Sequence, residues 1–212
     1  LNWNQTTMPE TDKGITGLNW IKDRDNGSFF HTLQDSSRGP NNEVYSNSTS
    51  SAGATNDSVT RFLKGGVAVE DAVNVNTASN SFVAWNWVAN KGTTASNSNG
   101  SITSTVQANT TAGFSIVQYT GSGSAATIGH GLSSAPEWIM VKNLSQGDAW
   151  KVYHHKVASD PQTDYLVLNT TAALVDDATV WNDTAPTSSV FSIGNHTDVN
   201  TNTENYIAYC WN

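Results

Sequence analysis

The chain has 212 residues, a formal net charge of −8 and only 13% charged residues, against about 25% in an ordinary soluble domain. Asn, Ser and Thr number 24, 24 and 26, and these residues favour turns, caps and strand surfaces over helix interiors. A helical bundle, a coiled coil and a doubly wound dinucleotide fold are thereby excluded. The eight Trp exclude disorder, and ten scattered Lys and Arg give neither nucleic acid nor a membrane surface the basic face it needs.

In chain order the first strands predicted are Trp20-Ile21, Phe29 to Leu33, Val44-Tyr45, Val59 to Leu63, Val67 to Val69 and Phe82 to Val88. A Gly/Ser/Asn-rich stretch, Lys91 to Gly100, reads as a flexible connection. A short alternating segment follows from Ile102 to Val106. Then come Phe114 to Tyr119, Trp138 to Val141 after Pro136, Trp150 to His154, Tyr165 to Leu168, Val190 to Ile193 and Tyr206 to Trp211. Turn signals such as Gly121-Ser122-Gly123, Gln146-Gly147-Asp148 and Asn182-Asp183-Thr184 separate them. Short strands at this spacing point to a sandwich or barrel.

Many of these strands occur twice. Phe82-Val83-Ala84-Trp85-Asn86-Trp87 lines up with Tyr206-Ile207-Ala208-Tyr209-Cys210-Trp211. Gly14 to Leu18 lines up with Ile128 to Leu132, Trp20-Ile21 with Trp138-Ile139, and Asn47-Ser48-Thr49 with Asn169-Thr170-Thr171. The offset grows steadily along the chain, as expected of two copies separated by small loop insertions. The organisation predicted is a first β repeat over 1–90, a connection with a short strand over 91–112 and a second repeat over 113–212. The fold class is all-β: tandem related β-sandwich units, jelly-roll or concanavalin-like, or one larger sandwich built from both copies. The chain ends inside an apolar run, Tyr206 to Trp211, which points to a longer parent.

The chemistry-bearing residues form no recognisable catalytic set. Gly121-Ser122-Gly123-Ser124 lacks the Gly-Lys-Ser/Thr and the helix of a phosphate loop. His154 and His155 are neighbours on a strand and point to opposite faces, so they do not share a metal, and no zinc set is expected. Asp176-Asp177 is a weak candidate for calcium, without EF-hand spacing; otherwise no cofactor is expected. Most Asp sit in turns, and no Gly-x-Ser-x-Gly elbow occurs. The single cysteine, Cys210, lies in an apolar strand and reads as a buried free thiol. Five Trp, at 20, 85, 87, 138 and 211, read as core.

Two loops stand out as ligand contacts. Asp35-Ser36-Ser37-Arg38-Gly39-Pro40 is either a polar binding loop using Asp35 and Arg38 or a turn held by an Asp35–Arg38 contact. Trp181-Asn182-Asp183 places an indole beside an amide, a pairing that could stack on and hydrogen-bond a sugar, although a core position for Trp181 is the simpler reading.

Gly113 to Gly121, Ile128 to Leu132, Ala135 to Lys142 and Trp150 to His154 together resemble a repeat found in virion and tail-fibre-like structural proteins of marine bacteriophages. Trp20 to Arg24, Asp35 to Gly39 and Val83 to Trp87 carry the same resemblance in the first copy. The resemblance spans about residues 14–212 and implies a non-enzymatic module on the surface of a virion: a capsid decoration, head-fibre or tail-fibre protein. Its partners would be other virion proteins and copies of itself. The alternatives are a carbohydrate- or receptor-binding module for host attachment, which adds a host glycan as partner, and a polysaccharide depolymerase.

Overall fold

The computed structural model describes residues 16–63, 66–90 and 94–212. Its first sheet is a meander of β1 (Thr16–Asp23), β2 (Thr32–Asp35), β3 (Asn42–Tyr45) and β4 (Gly53–Ala54). The hairpin of β5 (Val59–Leu63) and β6 (Gly66–Val69) follows, then the single-turn helix α1 (Val73–Asn76). The chain returns as β7 (Phe82–Asn90) on the other side of β1, giving the antiparallel order β4-β3-β2-β1-β7.

The second sheet repeats the plan. A meander of β12 (Trp138–Asn143), β13 (Lys151–His154), β14 (Asp164–Val167) and β15 (Val175–Asp176) precedes α2 (Ala178–Trp181), β16 (Val190–Ile193) and α3 (Thr197–Asn200). The last strand, β17 (Asn205–Trp211), returns beside β12, so the order β15-β14-β13-β12-β17 matches the first sheet strand for strand. Beyond β17 lie three more strands: β10 (Phe114–Thr120), β9 (Ser104–Asn109) and β8 (Ala95–Asn97). β8 and β9 fall in the stretch read from composition as a connection with one short strand. Backbone pairing, to which Asn and Ser offer no obstacle on an exposed edge, draws both into the second sheet. β11 (Ala126–Gly129) pairs with β16 in a separate ribbon.

Hydrogen bonds repeat as well as strands. The Asp23 carboxylate accepts from the Asp25 and Asn26 amides (2.8 and 2.9 Å), and the Asn143 carbonyl oxygen accepts from those of Ser145 and Gln146 (2.9 and 3.2 Å). Lys22 donates to the carbonyls of Asp23 and Asn26; Lys142 donates to those of Asn143 and Gln146. Asn47 Oδ1 takes the His31 amide as Asn169 Oδ1 takes that of Trp150, each at 2.9 Å.

Register sets the true equivalences. Leu18 stands between Trp87 and Asp35 as Trp138 stands between Trp211 and His154. Trp20 stands between Trp85 and Leu33 as Met140 stands between Tyr209 and Val152. Trp20 therefore corresponds to Met140, two residues past the Trp138 with which it aligns by sequence. A two-residue slip keeps every side chain on its face, so hydrophobic pattern alone does not detect it. Likewise Leu18 corresponds to Trp138, not Leu132; Gly14 and Ile15 lie outside the described residues.

The two sheets pack face to face, and the larger sandwich is the one realised. Leu18, Leu33, Val44 and Ala89 of the first meet Phe114, Ile116, Met140, Trp150, Val152, Ile207 and Tyr209 of the second in one buried cluster. Two further cores lie on the outer faces. One joins Ile21 to Val59, Phe62, Val67 and Val75 under the β5–β6 hairpin and α1. The other joins Ile139, Val141, Tyr153 and Ala208 to Trp181, Phe191, Ile193 and Val199.

Candidate functional site

The loop after β2 closes on itself and on the other sheet. Asp35 Oδ1 accepts from the Ser37 and Arg38 amides at 3.0 and 2.9 Å. Asp35 Oδ2 accepts from Arg38 Nε at 2.6 Å and from the Tyr209 hydroxyl at 2.8 Å. Arg38 Nη2 reaches the same hydroxyl at 3.3 Å. Flanking these, Ser36 donates to Gln107 and Gln118 donates to Ser37, each at 2.7 Å. The Asp35 and Arg38 side chains are 0% and 5% exposed. Burial pulls the Arg38 pKa down, but Asp35 and then Tyr209 outweigh it and hold it above its ordinary value. The loop thus latches the first sheet to β9, β10 and β17, and the structure gives Asp35 and Arg38 no face for a ligand.

Trp181 and Asn182 separate by one residue of helix ending. The Asp177 carboxylate caps α2 by accepting from Thr179 N at 2.9 Å. The helix stops where Asn182 and Asp183 both take positive φ, 53° and 45°. That turn drives Trp181 inward: it is 2% exposed, its Nε1 donates to Asp164 O at 3.0 Å, and its ring meets Tyr153 edge-on at 5.9 Å. It cannot stack on a sugar. Asn182 instead lines a shallow cleft of about 500 Å³ of mixed character, with Ala125, Ala178, Thr179, Asp183 and Asn195. The four residues singled out by sequence do not converge: Asp35 and Arg38 lie between the sheets, Trp181 and Asn182 in the outer layer.

The surface that sequence reasoning missed lies at the edge of the first sheet. Trp20 packs on Trp85 (5.9 Å between ring centroids) and Trp87 (6.4 Å). Trp87 packs on Trp211 (5.6 Å), and Trp211 stacks on Trp138 (4.4 Å). These five indoles read as core in the sequence. The structure packs Trp20, Trp87, Trp138 and Trp211, partly buried, against the core between the sheets, but leaves Trp85 46% exposed; Val88, on the opposite face of β7, is 45% exposed. Tyr209, the counterpart of Trp85, is fully buried. The cause is strand order: β17 is covered by β10, whereas among the described residues no strand lies beyond β7. Nothing local to Phe82–Asn90 marks it as an edge, because the same alternation serves the covered strand.

A family model described as a domain of unknown function, DUF7483, matches residues 6–212. The chain belongs to this family. No curated protein and no solved structure matches it.

In this DUF7483 chain two half-buried acids share one amide. Asp148 and Glu204 both accept from Asn143 Nδ2, which also meets the Tyr206 hydroxyl at 3.2 Å. The amide fills the space between the two carboxylates, where a glycosidase would leave room for the scissile bond. Among the described residues no three His, Cys, Asp or Glu side chains converge as metal ligands. Asp177, half of the calcium candidate Asp176-Asp177, is engaged as the α2 cap. Burial pushes the Cys210 thiol up to about 12, away from nucleophilic use.

Proposed function

We propose that this chain is a non-enzymatic structural module of a bacteriophage virion, a capsid decoration, head-fibre or tail-fibre protein that works by protein–protein contact on the particle surface. The observation that carries the reading is the edge of the first sheet at β7, beyond which no strand lies among the described residues and along which Trp85 and Val88 are exposed. An uncovered strand of this length is a template for another chain. The low charge, the polar surface and the resemblance of both copies to phage structural repeats support the same reading. Mass spectrometry of purified virions tests it, with a defined copy number per particle as the expected result. Recovery only from infected-cell cytosol, never from particles, overturns it.

A second reading, attachment to a host glycan, is favoured by the exposed Trp85 rather than by Trp181, since exposed indoles stack on sugar rings. A glycan array with hits abolished by Trp85→Ala would favour it; an array without hits removes it.

A further inference from the structure

The second copy contains a template for what an uncovered β7 accepts. Its counterpart β17 is paired along Asn205–Trp211 by β10, antiparallel and without a register shift. β7 therefore has the geometry of a strand with antiparallel partners on both sides, and only one of them, β1, is present among the described residues.

The β7 sequence is close to a palindrome about Asn86. Trp85 and Trp87 flank it, then Ala84 and Val88, then Val83 and Ala89. Two antiparallel strands related by a twofold axis through Asn86 would set Trp85 against the partner's Trp87, Ala84 against the partner's Val88 and Val83 against the partner's Ala89. Every such pair is apolar, and Asn86 meets its own copy amide to amide. A twofold interface requires this self-complementarity, and cross-strand aromatic pairs are among the more stabilising ones. The Val88 carbonyl already accepts from Asn109 Nδ2 at 3.1 Å, and its second lone pair is free for a ladder bond.

We infer that β7 is a homodimerisation edge: two copies of this chain pair antiparallel about Asn86, joining their first sheets into one continuous sheet and covering Trp85 and Val88. The inference rests on the assembly reading only in taking this edge as the contact surface.

The full chain tests it. Sedimentation velocity is expected to show a concentration-dependent dimer, and Ala84→Lys, a charge on the edge, to raise the dissociation constant about tenfold or more, a change equal to about 1.4 kcal/mol. Asn86→Cys is expected to form an intermolecular disulfide, since directly opposed antiparallel Cα atoms lie within disulfide range. Cysteine suits the position, because its counterpart in β17 is Cys210, and Cys210 itself is buried and does not compete. Ala84→Cys, opposite the partner's Val88, is expected not to cross-link. A monomer at all concentrations overturns the inference, as does cross-linking of Ala84→Cys as readily as Asn86→Cys. A monomer found at defined copy number on virions would sink the pairing alone. A dimer never found on virions would sink the functional reading alone.

Discussion

Asn80 donates to Asp23 at 2.7 Å, joining the residue at the end of β1 to the approach to β7. The second copy makes the same bond with its ends exchanged: Asn143 stands where Asp23 stands, and it donates to Glu204, the counterpart of Asn80. Acid and amide have changed places together, so each copy keeps one donor and one acceptor at a buried junction. Burial opposes ionisation of Asp23, but the hydrogen bonds from Asn80 and from the Asn26 and Asp25 amides hold its pKa below the ordinary carboxylate value.

Asp23→Asn is therefore expected to lower the denaturation midpoint, and Asp23→Asn with Asn80→Glu, which copies the second arrangement, to recover most of the loss. The pH dependence has a fixed sign. A carboxylate with a lowered folded pKa contributes stability above its unfolded value, 3.8, and loses it as pH falls through the lower folded value. The difference between wild type and Asp23→Asn is expected to be full near pH 6 and to shrink below pH about 4. Urea titrations across that range check it; a constant difference would contradict the assignment.

The latch predicts a ranking. Tyr209→Phe removes one hydroxyl from Asp35 and Arg38 and is expected to cost about 1–3 kcal/mol. Arg38→Met leaves the Asp35 carboxylate buried without its cation and is expected to cost more, about 3–5 kcal/mol. Urea unfolding of the two variants measures both. Equal losses would mean that the ion pair is not what secures the loop to the second sheet.

On the outer face of the first sheet, Asn86, Asn19, Gln34 and Glu43 stand in one cross-strand row. The second sheet has Cys210, Ile139 and Tyr153 in the corresponding row. Asn19 Oδ1 and Gln34 Oε1 are buried without a hydrogen-bond partner, which is unfavourable in a low-dielectric interior. Asn19→Ile, copying Ile139, is expected to stabilise the chain by about 1 kcal/mol, read as a higher urea midpoint at unchanged slope. A loss of stability would show that the amide row supports the β5–β6 hairpin above it.

Cys210 is fully buried, and burial raises its thiol pKa to about 12. In the native chain it is expected to resist a thiol reagent at pH 8 and to react only through unfolding, so that its labelling rate follows stability across the variants above. Rapid labelling of the native chain would contradict the burial.

The all-β class, most strands and the duplication were legible in the sequence, because period-two alternation and turn residues are local and the copies share them. Phe82–Trp87 against Tyr206–Trp211 and Asn47 against Asn169 align as the structure aligns them. Trp20 against Trp138 does not, since a slip of two leaves the same faces apolar. The Asp35–Arg38 contact was legible too, being three residues long. That Tyr209 completes it was not, because that partner comes from the other sheet.

What the amino-acid sequence by itself determined is the alternation of each strand and the presence of two related copies. Only the tertiary structure decided that the copies press their equivalent faces together, that Trp181 turns inward, and that Trp85 lies open while Tyr209 is sealed. Which strand borders which is a property of long-range pairing. The same alternating sequence becomes core or edge according to whether a neighbour arrives, and β17 has β10 where β7, among the described residues, has none.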